Sequence, residues 1–466
     1  MVKQLSRLLR LACCFALGLS CFALFPAGCE LPVKESKTPA SSEEPLVVGV
    51  YHLSDPSKRF EDLKRELEEK LGIQTAYVEL IPEQDDGEPS RVKFLSKLLR
   101  ESRIDLVLGA PHTYTQQLIH ENLFMDLTDH IENIDQLQPS VVDVALKVGG
   151  GRIYTISPVI AEWYGIFENK SLLDELGIEP IDRFINWNEF GERLDRIRDA
   201  IARQDKDIKP LAMVVQNEGE ENVFIEDAFL MYGYGLDAPV VEDNILLGNP
   251  KWADFFLTFS ELVEKYGESY ANVDQRYLFD THFSTGQYVT ALGGFYHLEL
   301  FTGDHMQLNR FMPARVEVNF DLNIVPLPVY PGDEGMLNIR LSSMAVSESS
   351  RKKAEALKVL NYILGKEFAM SMLNHRYAYN QMGFGVPFFP AYYDEEVIDA
   401  LNKTYRNRFD VSRIYKAAKG SVTCPVYDMN KRETVYRTLN QAFSDVYNHK
   451  TDKHEALKNA QIPVFP

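Results

Sequence analysis

Three short apolar runs open the body of the chain: LVVGVYHL at 46–53, TAYVELI at 75–81 and IDLVLG at 104–109. Each is rich in aliphatic residues and too short for a typical helix, so each reads as a buried strand. Between them the period changes. Phe60, Leu63, Leu67 and Leu71 recur at three- and four-residue spacing, and Phe94, Leu95, Leu98 and Leu99 mark a second such face. Each gap therefore holds an amphipathic helix. A polar turn, DDGEPS, precedes the second helix, and YTQQLIHENLFMDL at 114–127 reads as a further helix running into a connection. Strand–helix–strand order predicts a parallel sheet with helices on both faces. Ligands of such sheets bind beyond the carboxyl ends of the strands. Those ends are Tyr51–His52 and Ala110–Pro111–His112–Thr113.

The same alternation continues outward. RIYTI at 152–156, LAMVV at 211–215, YVTALGG at 288–294 and FDLNIVPLP at 320–328 are strand-like. NWNEFGERLDRIRDAIA, EDAFLMYGYGL and PKWADFFLTFSELVEKY carry helical periodicity, as does SSRKKAEALKVLNYIL, where Ala354, Leu357, Leu360, Ile363 and Leu364 share a face. With 466 residues the chain has room for two to three domains, or for two lobes.

Composition narrows the function. Hydrophobic residues make up 45% and charged residues 25%, which excludes disorder throughout. The net charge of −19 repels phosphate backbones, so no nucleic-acid partner is expected. No GxxxxGK[ST], HExxH or GxSxG occurs. Gly149–Gly150–Gly151 stands in the wrong order for a dinucleotide turn, and Gly233 and Gly235 follow a helix without a third glycine. The ten histidines are scattered and four of the five cysteines lie in the first 29 residues. The body thus has no metal-ligand spacing and no disulfide framework, and neither a metal nor a cofactor is expected.

The N-terminus reads as an address. MVKQLSRLLR is basic, LACCFALGLSCFALFPAGC is apolar and uncharged, and Ala27–Gly28 precede Cys29. Residues 1–28 form a secretion signal outside the fold. The segment resembles a bacterial lipoprotein signal, which implies cleavage before Cys29 and lipid on that cysteine. Pro26 departs from the usual aliphatic residue, and Cys21 is the alternative. Residues 29–45 are polar with three prolines, a tether of roughly 20–25 Å root-mean-square reach.

Read in order, RIYTISPVIAEWYGIFENKSLLDELGIEP, INWNEF, FSTGQYVTALGGFYH, FDLNIVPLP, MAVSESSRKKAEALKVLNYIL and GFGVPFFPAYY resemble the landmarks of the extracellular solute-binding proteins of ABC transporters, the branch that includes maltose-binding protein. The likeness spans residues 46–400. Glu168 stands where the family usually has tyrosine, and Tyr296 where tryptophan is frequent. The resemblance implies an α/β, two-lobe periplasmic-binding-protein-like fold with hinge crossovers near 160 and 342 and a ligand cleft between lobes. Lobe one would take 46–159 and 343–383, lobe two 160–342 and 384–466. The implied role is a non-enzymatic, extracytoplasmic, lipid-anchored monomer that closes on a small solute, a carbohydrate by preference, and hands it to an ABC permease. A ligand-presenting subunit of a membrane sensor fits the same residues. An enzyme on the same fold is the other alternative: some relatives of the cleft fold are catalytic through a cysteine, but Cys424, the single cysteine of the body, lies past the cleft landmarks.

A sugar shows flat apolar faces and a rim of hydroxyls, so its site needs aromatic platforms with carboxylates, amides or guanidinium groups. Glu162, Trp163 and Tyr164 follow RIYTI at the first crossing. Glu162 aligns with a ligand-binding glutamate of the family, and a hinge salt bridge is its alternative role. Trp163 or Tyr164 is the expected platform, against core packing. Gly293–Gly294 let backbone approach a bound ring, and Phe295 and Tyr296 come next, Tyr296 where the family places a stacking tryptophan. Tyr51, His52 and His112 are candidates at the strand ends of lobe one, where ordinary turn residues would also sit. Asn217 and Glu221 follow LAMVV in a charged loop that solvation alone would explain. Tyr393, beside Tyr392, corresponds loosely to a C-terminal aromatic platform.

Overall fold

The computed structural model describes residues 44–50, 60–82, 88–217, 225–236, 238–270, 282–294, 318, 320–330, 339–374, 389–404 and 429–464. The strands are β1 (Leu46–Val50), β2 (Thr75–Glu79), β3 (Leu106–Pro111), β4 (Val159–Asn169), β5 (Lys209–Ala212), β6 (Val214–Asn217), β7 (Val241–Glu242), β8 (Ile245–Leu246), β9 (Glu268–Tyr270), β10 (Tyr288–Gly294), β11 (Leu322–Pro326), β12 (Ile339–Val346) and β13 (Phe389–Pro390). The helices are α1 (Glu61–Leu71), α2 (Glu88–Arg100), α3 (His112–His120), α4 (Pro139–Val148), α5 (Lys170–Leu176), α6 (Trp187–Gln204), α7 (Glu226–Tyr232), α8 (Pro250–Tyr266), α9 (Lys353–Ile363), α10 (Lys366–Asn374), α11 (Glu395–Thr404), α12 (Met429–Tyr447) and α13 (Lys453–Ala460).

Among the described residues, nine strands join in the order β2–β1–β3–β12–β4–β10–β5, with β11 and β13 also paired to β4. β1 lies parallel to both β2 and β3, as the strand–helix–strand pattern requires. β12 runs antiparallel to β3 through Ser342–Val346 and antiparallel to β4 through Ile339–Leu341. β4 pairs with β12 and β13 through its first residues and with β10 and β11 from Tyr164 onward. β4 and β12 thus belong to both halves of the molecule. They are the two crossings of the two-lobe fold.

The two halves share one apolar cluster, which runs from Val48 and Met344 through Phe389 to Phe167, Ala291 and Ile324, and each half adds a cluster of its own. In the first half, Leu106 and Leu108 join Val48, Val141, Met344 and Phe368 on one face of the sheet, while Val107 joins Leu80, Leu95 and Leu99 on the other. This is the period-two alternation of a strand buried on both sides. In the second half, Ile166, Leu292 and Val325 of the sheet meet Phe190, Phe229, Trp252, Phe256, Phe259 and Phe443. The two cores are aromatic to very different degrees. Phe229 stacks on Phe255 with centroids 4.9 Å apart, and Trp252 donates from its indole N–H to the Ala238 carbonyl at 2.8 Å. α12 and α13 pack on α8, whereas α11 packs on α10.

Local chemistry explains the helix starts. Asn169 ends β4 and caps α5, its side-chain oxygen accepting from Leu172 N–H at 3.1 Å. α6 opens with a capping box between Asn186 and Glu189. Two expected strands differ. RIYTI is not one; only Ile156 bridges to Met344, and the strand begins after Pro158, which lacks the N–H a ladder needs. LAMVV is split at Met213: β5 pairs with β10 in the main sheet, and β6 leaves it to pair with β9. No described helix is long and apolar enough to cross a membrane.

Candidate functional site

The crossing is built from unusual strand geometry. Leu341 pairs with Ile160 and Arg340 with Glu162, so Ala161 is an extra residue in β4. On the other side of β12, Ser343 pairs with Ala110 and Ala345 with Val107, so β3 also carries one residue too many. Gly109 supplies it at φ +78°, a left-handed conformation that favours glycine. Bulges bend a strand and re-aim the residues that follow. Here they directly precede Glu162 in β4 and the Ala110–Pro111 end of β3.

The register brings several candidate positions together. Pro111, opposite Ser342, ends β3, and His112 opens α3. Glu162 and Trp163 lie opposite Arg340 and Ile339, and they fall inside β4 rather than after a strand. Tyr164 lies opposite Gly294, the residue before Phe295. Arg340 was missed in the sequence, although its signal was there: a lone charge in the apolar run LNIRL beside the crossing near 342.

Other candidates sit elsewhere. Tyr164 is only 8% exposed; its ring meets Tyr232 edge-on at 5.9 Å and its hydroxyl lies 2.9 Å from the Met231 sulfur. It is part of the second core. Of the three tryptophans, Trp187 and Trp252 are in that core as well. Asn217 ends β6, on the separate β6–β9 pair. Tyr393 is half-buried against the first core, its N–H donating to the Gln136 carbonyl at 2.9 Å. Just beyond it Lys366 bridges Asp394 at 2.7 Å and Glu396 at 2.6 Å, and hydrogen bonds to those carboxylates hold its ammonium above the ordinary lysine value. Tyr51, His52, Glu221, Phe295, Tyr296, Cys29 and Cys424 lie outside the described residues.

Glu168, the departure from the family tyrosine, is fully buried. One carboxylate oxygen accepts from Arg193 Nε at 2.7 Å and Nη2 at 2.6 Å. The other accepts from Ile181 N–H at 2.9 Å and Asn323 Nδ2 at 2.8 Å. Arg193 also donates to the Glu179 carbonyl. This acid is a tie between β4, β11 and α6. Beside it a surface cavity of about 590 Å³ is lined by Glu179, Arg183, Glu189, Arg193 and Arg196 among others. Arg183 is paired with Glu189 and Arg193 with Glu168.

No protein-family model matches this chain, and no curated protein sequence matches it. Solved structures do. A sugar transporter of Rhizobium etli in an open conformation is 16% identical, with 90% of this chain and 99% of that one covered at a TM-score of 0.63. The sugar-binding protein MalE of Xanthomonas citri is 15% identical over 90% and 95% of the two chains, again at 0.63. A cyclic alpha-maltosyl-1,6-maltose binding protein of Arthrobacter globiformis is 15% identical over 90% and 98%, at 0.59. The chain has their fold, the two-lobe periplasmic-binding-protein architecture.

Proposed function

We propose that this chain is a non-enzymatic solute-binding protein that closes its two lobes on a carbohydrate and delivers it to an ABC permease outside the cytoplasm. What carries the reading is the convergence along β12 and β4 of strand positions from both halves, at the two crossings. A ligand touching both lobes at such a crossing favours the closed state, and closure is what a permease would recognise. We assign 46–159 with 343–404 to lobe one and 160–342 with 429–464 to lobe two, keeping α11 with α10 because the two helices pack together. Glu162 is the proposed hydrogen-bonding acid. With Tyr164 in the core, the platform role falls to Trp163, together with Tyr296. His112, Tyr51, His52, Asn217, Glu221, Phe295 and Tyr393 are proposed as further lining residues. The relatives named above as sugar-binding support the choice of solute.

The test is a thermal-shift screen of the full chain against mono- and oligosaccharides, followed by calorimetry. A solute at 100 times its dissociation constant should stabilise the protein by about 2.7 kcal/mol. Trp163→Ala should weaken binding by roughly 5- to 150-fold, the loss of one aromatic platform. No stabilisation by any sugar would remove the carbohydrate reading. The proposed lipid anchor has a separate test: Cys29→Ser should release the protein from membranes, and unchanged attachment and mass would reject it.

A further inference from the structure

A groove runs between α6 and α8 of the second lobe. It consists of two hollows of about 250 Å³ each, which share Trp187, Asn188 and Thr258. One hollow reaches toward Phe255 and Val329, the other toward Asp195 and Lys265. From Trp187 to Asp195 the helix rises about 12 Å, the span of three to four extended residues. Trp187 is only 5% exposed, its ring 4.8 Å from that of Phe255. Among the described residues its indole N–H has no hydrogen-bond partner, yet it is not sealed from the groove. A buried indole usually finds a partner, as Trp252 does in the Ala238 carbonyl. Asn188 is exposed next to it. Its side-chain oxygen lies 3.3 Å from the Thr258 hydroxyl, and its NH2 is unpaired among the described residues. Four carboxylates, Glu192, Asp195, Asp254 and Glu261, line the groove against one ammonium, that of Lys265. Lys265 is already shared between Asp195 at 3.2 Å and Glu261 at 2.9 Å. Glu192 is exposed and has no ion-pair partner among the described residues.

We propose that this groove docks an extended segment of a partner protein, one that carries an apolar side chain and, two residues on, a basic one. The apolar side chain fills the hollow beside Phe255 and Val329. A backbone carbonyl of the segment accepts from the Trp187 indole N–H. The Asn188 amide, with a donor and an acceptor, can pair with a neighbouring peptide group. Five residues along α6, Glu192 stands about 7 Å from Trp187 in helix rise. Residues two apart in an extended chain share a face and are separated by a similar distance, about 6.6 Å. The basic side chain therefore meets Glu192. The charge of the lining decides the partner's sign, because like charges set face to face suppress the wrong partner. A neutral sugar could take the same donors but would leave Glu192 without a counter-ion. The groove also has a place in the fold. The Trp187 ring is 6.5 Å from Tyr232, and Tyr232 is 5.9 Å from Tyr164 of β4, so a docked segment sits two rings from the crossing strand. The proposal goes beyond the solute-binding reading and does not depend on it.

The chain has three tryptophans, so isotopic labelling of tryptophan nitrogen gives the full chain three indole N–H signals in a magnetic-resonance spectrum. Trp187→Phe identifies the one from Trp187. The probes are acetyl-Leu-Gly-Lys-amide, acetyl-Leu-Gly-Glu-amide and maltotriose. The lysine peptide should move the Trp187 signal downfield, as a new hydrogen bond does. The glutamate peptide should bind about 3- to 10-fold more weakly, the loss of one ion pair and its replacement by a repulsion. Glu192→Lys, a change at an exposed position, should reverse that order. Trp187→Phe, followed on the peptide's own signals, should weaken the lysine peptide by about 3- to 10-fold, the loss of one hydrogen bond. If that variant fails to fold, Glu192→Lys keeps the test open. A Trp187 signal that the lysine peptide does not move overturns the proposal. So does equal binding of the two peptides, or a Trp187 signal that moves with maltotriose alone. Each of these leaves the solute-binding reading standing, because stabilisation by sugars and the Trp163→Ala variant judge that reading.

Discussion

Replacing Arg193 with methionine tests whether the Glu168 network holds the second lobe together. The substitution keeps side-chain length and removes the charge. Glu168 would lose the Nε and Nη2 bonds to one carboxylate oxygen and keep the Ile181 and Asn323 bonds to the other. Hydrogen bonds to charged groups are worth about 1.5–3 kcal/mol each, and removing one partner of a buried ion pair costs about 3–5 kcal/mol. Two lost bonds therefore agree with the buried-pair figure, and about 3–5 kcal/mol is the expected loss. At roughly 2–4 °C per kcal/mol for a domain of this size, the melting temperature should fall by about 6–20 °C. Glu168→Gln leaves Arg193 buried without its counter-ion and should cost a similar amount. The double variant should be less damaged than the sum of the two by more than about 2 kcal/mol, because neither partner is then left as a lone buried charge. Calorimetric melts of the four proteins measure this directly. Losses below about 1 kcal/mol, or single-variant losses that add to within about 0.5 kcal/mol, would refute the reasoning.

Two further outcomes are expected. The Thr290 hydroxyl is buried on β10 without a hydrogen-bond partner, so Thr290→Val should be neutral or stabilise by up to about 1 kcal/mol. A clear loss in denaturant titration would mean that the hydroxyl has a bonding role. Glu261 takes hydrogen bonds from Lys453 and then Lys265, which pull its carboxyl below the ordinary value of 4.5 and tie α8 to α13. A lowered carboxyl stabilises fully above its unfolded value, and that stability is lost as pH falls through the folded one. Wild type should therefore exceed Glu261→Gln in melting temperature at pH 6, with the gap closing below about pH 4.5. A gap that stays constant down to pH 3 would contradict the assignment.

Much of the architecture was legible because apolar period and length act locally. LVVGV, YVTALGG and LNIVP had one reading each, and so did the helical run NWNEFGERLDRIRDAIA. What failed was choice of partner. RIYTI alternates as a strand should, yet its Ile153 carbonyl accepts from Leu127 N–H and pairing proper waits until after Pro158. LAMVV is apolar throughout, and nothing in it tells that β5 and β6 go to different sheets. Tyr164 and Trp163 are chemically equivalent candidates in sequence; that Tyr164 is a core residue emerges only once α7 brings Met231 and Tyr232 to the sheet. Glu168 read as a departure from a motif, because Arg193 and Asn323, its partners, stand 25 and 155 residues away. The same distance along the chain hid Arg340 as the backbone register neighbour of Glu162.

The shared sheet also sets an order of events in time. Asp105, at the foot of β3, takes the Ser350 hydroxyl from 245 residues downstream, and β3 has β12 as its neighbour on the open side. Lobe one, although it comes first off the ribosome, cannot close until the chain has been made past Ser350. Contacts of such long range slow folding. The early strands of β3's sheet therefore stay without their last neighbour while the segment that would complete them is still to come.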